Sequence, residues 1–153
     1  NYPLTGGPIG AEQATMLLLA SGDQELYDEY LPIFELLGKP RFFGADDGRG
    51  AEVKLQGQMM VFGGLLGVAS ATAASFAVSN EDVARSESIA DFMDFLNGGA
   101  GSTKQWHVAV SRGVRHGDWT EGFQLHHAVI DAIYAADMAQ KLNLNSVVRN
   151  QLL

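Results

Sequence analysis

Between Met59 and Val78 the chain runs for twenty residues without a charged side chain, and a single lysine, Lys54, stands just ahead of that run. Twenty apolar residues is the length of a bilayer span. The composition argues against one: Gly63, Gly64, Gly67, Ser70, Thr72 and Ser75 are interspersed with alanines, and the flanking charges are the acids Glu52, Glu81 and Asp82. A span is normally oriented by a Lys/Arg cluster instead. The run therefore reads as a helix of a soluble protein, with no membrane contact. Gly63-x-x-x-Gly67 lets a neighbouring helix approach closely. A helix apolar on all sides is buried on all sides, and a chain of 153 residues can hardly enclose one by itself. A second copy of the chain is its expected cover.

Charge and composition narrow the function classes. A formal net charge of -8 gives phosphate backbones no electrostatic attraction, so no nucleic-acid partner is expected. With no cysteine there are no disulfides and no thiolate metal sites, which fits a cytoplasmic location. The opening NYPLTGGPIG has no initiating Met, basic segment or apolar leader and predicts a piece of a longer protein.

The pattern changes at about Asp46. Before it, Leu4 to Gly10, Ala14 to Ala20 and Arg41-Phe42-Phe43-Gly44 read as strands. Between the last two, Asp23 caps a helix through Leu37, with Leu26, Tyr30, Ile33, Phe34 and Leu37 at helical spacing and Pro32 as a point where it can kink. After Asp46 the chain is helical: Arg49 to Val78, a helix capped by Asn80 and stopped by Asn97-Gly98-Gly99, another over 102–114, one over 120–142 and a last one from about Asn145. The fold class is mainly α, a helical bundle attached to the end of a sheet domain.

Lys54 and Gln58 are four apart and share a helix face where strands give way to helices. Such junctions are where small-molecule sites form. An ammonium there can protonate a carbonyl oxygen and an amide can orient it. The alternative is a lysine snorkelling at a helix start beside a solvated glutamine. Thr5-Gly6-Gly7-Pro8 is the second candidate, because consecutive glycines let backbone N–H groups approach a carboxylate. Equally, it is a plain turn. No Gly-x-Gly-x-x-Gly follows a strand, so no dinucleotide fingerprint is present. His126 and His127 diverge by about 100° on a helix and match no ligand spacing, so no metal is expected. Trp106 and Trp119 read as packing residues, and no serine has the neighbours of a hydrolase triad.

Taken together, Thr5-Gly6-Gly7-Pro8-Ile9-Gly10-Ala11, the strand ending Ser21-Gly22-Asp23, Leu31-Pro32-x-x-Glu35-x-x-Gly38-Lys39 and Gly44-x-x-x-Gly48-x-Gly50-x-x-x-Lys54-Leu55 resemble the second half of the β-hydroxyacid dehydrogenases, 3-hydroxyisobutyrate dehydrogenase-like enzymes among them. The resemblance implies that residues 1–46 are the end of a Rossmann-type NAD(P)-binding domain. Residues 47–153 would be a long interdomain helix and an all-helical domain like that of 6-phosphogluconate dehydrogenase, through which the protein forms a homodimer. It places the catalytic lysine on Lys54, the substrate-carboxylate turn on Thr5, Gly6 and Gly7, and the substrate-binding amide on Gln58. A cofactor-contacting lysine of the family falls on Ile130, after Phe123, so the position is kept and the charge is lost.

A related group, the imine reductases, is similar to this chain at Phe43-Gly44-Ala45-Asp46-Asp47-Gly48 and Ala128-Val129-Ile130-Asp131-Ala132-Ile133, but usually carries Asp or Tyr where Lys54 stands. The activity that the resemblance implies is that of an NADP- or NAD-dependent oxidoreductase moving a hydride between nicotinamide and a small carbonyl or hydroxy acid, inactive without its nucleotide-binding half. Imine reduction and a non-catalytic dimerisation module are the alternatives.

Overall fold

A computed structural model of the chain describes residues 1–81, 85–120 and 124–145. It is mostly helical, with one three-stranded sheet in the order β1-β2-β3. Two compact units are distinguished: Asn1–Met59 with His126–Leu153, and Met60–Leu125.

The first unit is built on strand β2 (Met16–Ala20), whose sequence MLLLA is apolar on both faces; Leu18, Leu19 and Ala20 are buried. Strand β1 (Leu4–Thr5) pairs with it antiparallel, Thr5 opposite Leu17. Strand β3 (Gly38–Phe42) pairs with it parallel, Leu18 opposite Pro40. Several expected strand bounds move; β2 begins at Met16 instead of Ala14 and β3 ends at Phe42 instead of Gly44. Residues 7–12 form the short helix α1 (Gly7–Glu12), because Pro8 is preorganised for a first helical turn. The third strand begins at Gly38, three residues ahead of the expected Arg41.

Helix α2 (Gln24–Leu37) joins β2 to β3, and the Asp23 carboxylate caps it by accepting from Glu25 N at 2.8 Å and Leu26 N at 3.1 Å. Pro32 lies inside it without ending it. Tyr2 packs against Phe34, ring centroids 4.0 Å apart, and Tyr27 against Phe42 at 5.2 Å, which holds α2 on the sheet.

Helix α3 (Arg49–Ser79) begins against the end of β2. Ser21 Oγ accepts from Gly50 N at 2.9 Å and donates to Asp47 O at 3.0 Å, while Asp46 accepts from Gly48 N at 2.9 Å. A side chain at Gly50 would run into the Leu19 carbonyl oxygen, so only glycine lets the helix sit this close to the strand. This contact fixes the rotational setting of α3, and with it the face on which Lys54 and Gln58 emerge.

In the second unit, α4 (Glu87–Asn97) is capped by Ser86, whose Oγ accepts from Ile89 N at 3.1 Å; the cap lies six residues beyond the expected Asn80. The stop at Asn97-Gly98 is as expected. A π-helical turn (Trp106–Val110) runs into α5 (Ser111–His116). Val68, Phe76, Ile89, Ala90, Met93, Trp106 and Val114 form the core of this unit. Trp106 is fully buried and its Nε1 donates to Asp94 at 2.6 Å; Trp119, read with it as a packing residue, is more than half exposed but lays its ring against Gly113, where a Cβ would run into it.

The last described helix, α6 (Leu125–Lys141), belongs almost wholly to the first unit. The parts of the expected last two helices at residues 121–123 and 146–153 lie outside the described residues. Among the described helices, α3 has the length and apolar composition to cross a membrane. Its apolar surface is largely uncovered within this chain, where Met60 is 80 % and Val78 84 % exposed. The expectation of burial on all sides is therefore not met by the chain alone.

Candidate functional site

Lys54 and Gln58 project from the same side of α3 toward α6, as their four-residue spacing requires. The residue that receives them is Asp131. Gln58 Nε2 donates to Asp131 Oδ2 at 2.5 Å, and Lys54 Nζ lies 3.9 Å from the same oxygen. One carboxylate oxygen thus holds both side chains.

All three groups are partly withdrawn from solvent. The Lys54 and Asp131 side chains keep 32 % and 26 % of their surface exposed, enough for a small molecule to reach them. Asp131 sits on the inward face of α6, three residues after buried Ala128 and four before buried Ala135. A carboxylate among alanines at that spacing is the available sequence signal, since a charge on a buried helix face calls for a partner. The sequence expectation gave Asp131 no role; it fell on the adjacent Ile130, where a family charge is missing.

Ile130, the expected cofactor-contacting position, is about half exposed on α6 beside Asp131. Thr5 closes β1, and Gly6 and Gly7 follow at φ 140° and 62°, both in the region that favours glycine. A Cβ on Gly7 would meet nothing within 4 Å, so the backbone here faces open space. Among the described residues, no hydrogen bond or ion pair links this turn to Lys54, Gln58 or Asp131.

Chemically, the cluster provides an ammonium, a carboxylate that forms an ion pair with it, and an amide hydrogen-bonded to that carboxylate. Among the described residues no group of three His, Asp or Glu side chains is arranged to hold a metal ion. His126 and His127 stack on each other, ring centroids 4.0 Å apart.

Residues 1–63 match the family model of the NAD binding domain of 6-phosphogluconate dehydrogenase. An uncharacterized oxidoreductase of Bacillus subtilis, YkwC, is 28 % identical over 140 residues, which is 90 % of this chain and 45 % of that protein. A probable mitochondrial 3-hydroxyisobutyrate dehydrogenase-like protein of Arabidopsis thaliana is 25 % identical over 142 residues, 93 % of this chain and 40 % of its own length. Among solved structures, 3-hydroxyisobutyrate dehydrogenase from Salmonella typhimurium superposes with a TM-score of 0.76 at 22 % identity, covering 99 % of this chain and 52 % of that one.

These likenesses support the β-hydroxyacid dehydrogenase superfamily.

The expected cofactor class, NAD or NADP, agrees with the superfamily and with the matched domain. The chain spans about half the length of the curated relatives it matches. The α3 and α6 residues that meet here are 73 apart in sequence, Gln58 to Asp131, so the site requires α6 to fold back onto the start of α3 within the first unit.

Proposed function

We propose that the protein carrying this chain is an NAD(P)-dependent reductase or dehydrogenase of a small carbonyl or hydroxy-acid substrate, with Lys54 as the group that moves the proton. The observation that carries this is that Lys54 Nζ lies 3.9 Å from the Asp131 oxygen to which Gln58 is hydrogen-bonded, on a partly buried helix face. Bound nicotinamide supplies or accepts the hydride. In the reducing direction Lys54 gives its proton to the oxygen of the former carbonyl. In the oxidising direction neutral Lys54 takes the hydroxyl proton.

The residues present fit the reacting end of such a reaction and not the phosphates of the dinucleotide, for which this sequence has no glycine-rich loop after a strand. Ile130 would offer the cofactor an apolar contact where a lysine would offer a charge. Thr5, Gly6 and Gly7 would bind a substrate carboxylate through the Thr5 hydroxyl and backbone N–H groups, supported by the open space at Gly7. In this reading residues 1–46 end a Rossmann-type domain and residues 47–153 form the helical substrate and dimerisation domain. A homodimer would cover the exposed apolar surface of α3. The protein would act in the cytoplasm, and the chain by itself would not turn over.

A second reading, imine reduction, is favoured by the Asp131 carboxylate, which suits a cationic iminium, and by the likeness at residues 43–48 and 128–133. The test joins the chain to a nucleotide-binding half and supplies NADPH with a panel of semialdehydes and a panel of cyclic imines. Turnover of the semialdehydes supports the first reading. Turnover of imines alone replaces it with the second, and turnover of neither leaves the non-catalytic module.

A further inference from the structure

Gln58 and Lys54 approach the same oxygen of Asp131 but do not share it equally. Gln58 Nε2 lies 2.5 Å from Oδ2, within hydrogen-bond distance, while Lys54 Nζ stands 3.9 Å away, beyond it. The amide must present its NH2 to the carboxylate, since the opposite orientation would set two acceptors against each other. The neutral donor therefore makes the bond, and the charged donor is held off.

That order is the reverse of what the two groups favour in isolation. A lysine carries three rotatable donors on a flexible stem, and an ammonium bonded to a carboxylate closes to about 2.8 Å. Lys54 shares a face of α3 with Gln58, one turn away, and among the described residues it makes no hydrogen bond. What occupies its place on Asp131 is the Gln58 amide. Within a turn of Lys54 on α3 the other charged side chain is Glu52, paired with Arg49 at 2.9 Å. Within a turn of Asp131 on α6 the titratable neighbours are His127 and Tyr134, both exposed.

We propose that Gln58 is a positioning residue: by holding Asp131 Oδ2 it keeps the Lys54 ammonium from closing on the carboxylate and leaves its proton free to move. The proposal rests on the reading of Lys54 as the proton carrier. An ammonium bonded directly to a carboxylate is stabilised in its charged form and gives up its proton less readily. At 3.9 Å the pair still attracts, which keeps Lys54 at the site, but the attraction is weaker than at contact by about 30 %. Gln58 Nε2 is spent on Asp131 in this role, so its effect passes through Asp131 to Lys54 and not through a bond to substrate.

The test replaces Gln58 with Met, which keeps the length and helix propensity of the side chain and removes the donor. Lysine labelled at Cε lets NMR follow the titration of Lys54 in the protein without cofactor or substrate, with Lys39, Lys104 and Lys141 as controls in the same spectra. In Gln58→Met, Lys54 should hold its proton to a pH higher by about 0.5–1 than in the unmodified protein, with the controls unmoved. In an Asp131→Asn background, where the charge is gone, adding Gln58→Met should produce no such displacement.

An unmoved Lys54 in Gln58→Met overturns the inference, as does a displacement of the same size in the Asp131→Asn background. A separate arm tests the reading beneath it. In the chain joined to a nucleotide-binding half, the rising limb of the pH–rate profile for oxidation of a hydroxy acid should move up with the titration, by the same amount. If the titration moves and the rate profile does not, the positioning by Gln58 stands and the role of Lys54 as proton carrier fails.

Discussion

Gln58 and Asp131, 73 residues apart in the chain, are joined by a hydrogen bond of 2.5 Å from Nε2 to Oδ2. That bond ties the first turns of α3 to the middle of α6 and fixes the amide whose neighbour on the helix face is Lys54. The shared oxygen makes the contributions of Lys54, Gln58 and Asp131 interdependent.

Gln58→Ala, Asp131→Ala and the double variant should show that interdependence as a coupling. Residues sharing one hydrogen-bond network typically couple by about 0.5–3 kcal/mol, and a partly exposed pair belongs in the lower half of that range. Chemical denaturation of the four proteins measures it. Additive effects within about 0.3 kcal/mol would show that the bond contributes nothing to stability.

The joint between β2 and α3 should be far less tolerant than its small residues suggest. Ser21→Ala removes the acceptor of the buried Gly50 N–H and the donor to Asp47 O, an expected loss of about 1–3 kcal/mol. Gly50→Ala drives a methyl into the Leu19 carbonyl and should cost at least as much, about 2–4 kcal/mol. Thermal unfolding checks both. Because this joint sets the rotation of α3, Gly50→Ala should also disturb the Lys54 site, whereas an exposed substitution such as Gly57→Ala, with open space around it, should not.

Tyr2 gives a prediction with a definite pH window. Its hydroxyl is buried without a partner among the described residues, and burial, with Tyr27 as a smaller cause, pushes the phenol up from 10.0 to about 12. The folded state then keeps the proton more tightly than the unfolded chain, so the contribution is intact below pH 10 and is lost as pH rises from 10 toward about 12. Tyr2→Phe should remove that alkaline loss. At pH 7 it should be neutral or stabilising by up to about 1 kcal/mol, since it deletes an unpaired polar group while keeping the ring against Phe34. Denaturant midpoints at pH 7 and across pH 9–12 for the two proteins decide it, and an unchanged alkaline slope in Tyr2→Phe would assign the loss to other groups.

The elements that were legible in the sequence are those whose signal is local. Asp23 caps α2 through its own carboxylate, the run from Arg49 is one helix to Ser79, and Gly98 follows the end of α4, all from chemistry within a turn or two of the chain. The bounds that shifted depended on competition between neighbouring signals. Asn80 can cap a helix, but Ser86 does so, with its hydroxyl on Ile89 N; likewise, Gly6-Gly7-Pro8 begins a helix where a longer strand was expected. At the site, Lys54 and Gln58 were legible because they lie four apart on one helix. Asp131 was not, because its meaning lies in a contact between helices that no local spacing reveals. The exposure of Met60 and Val78 on α3 was not legible either, since burial depends on packing between helices that local spacing does not report.

The central claim is that the Lys54 ammonium moves the proton as hydride is transferred. Its most direct test is single-turnover NADPH oxidation by Lys54→Ala, in the chain joined to a nucleotide-binding half, with a semialdehyde that the unmodified protein reduces. Loss of a general acid predicts a fall in the rate of that step by about 100-fold or more, with NADPH binding unchanged. A rate within about threefold of the unmodified protein would contradict the assignment.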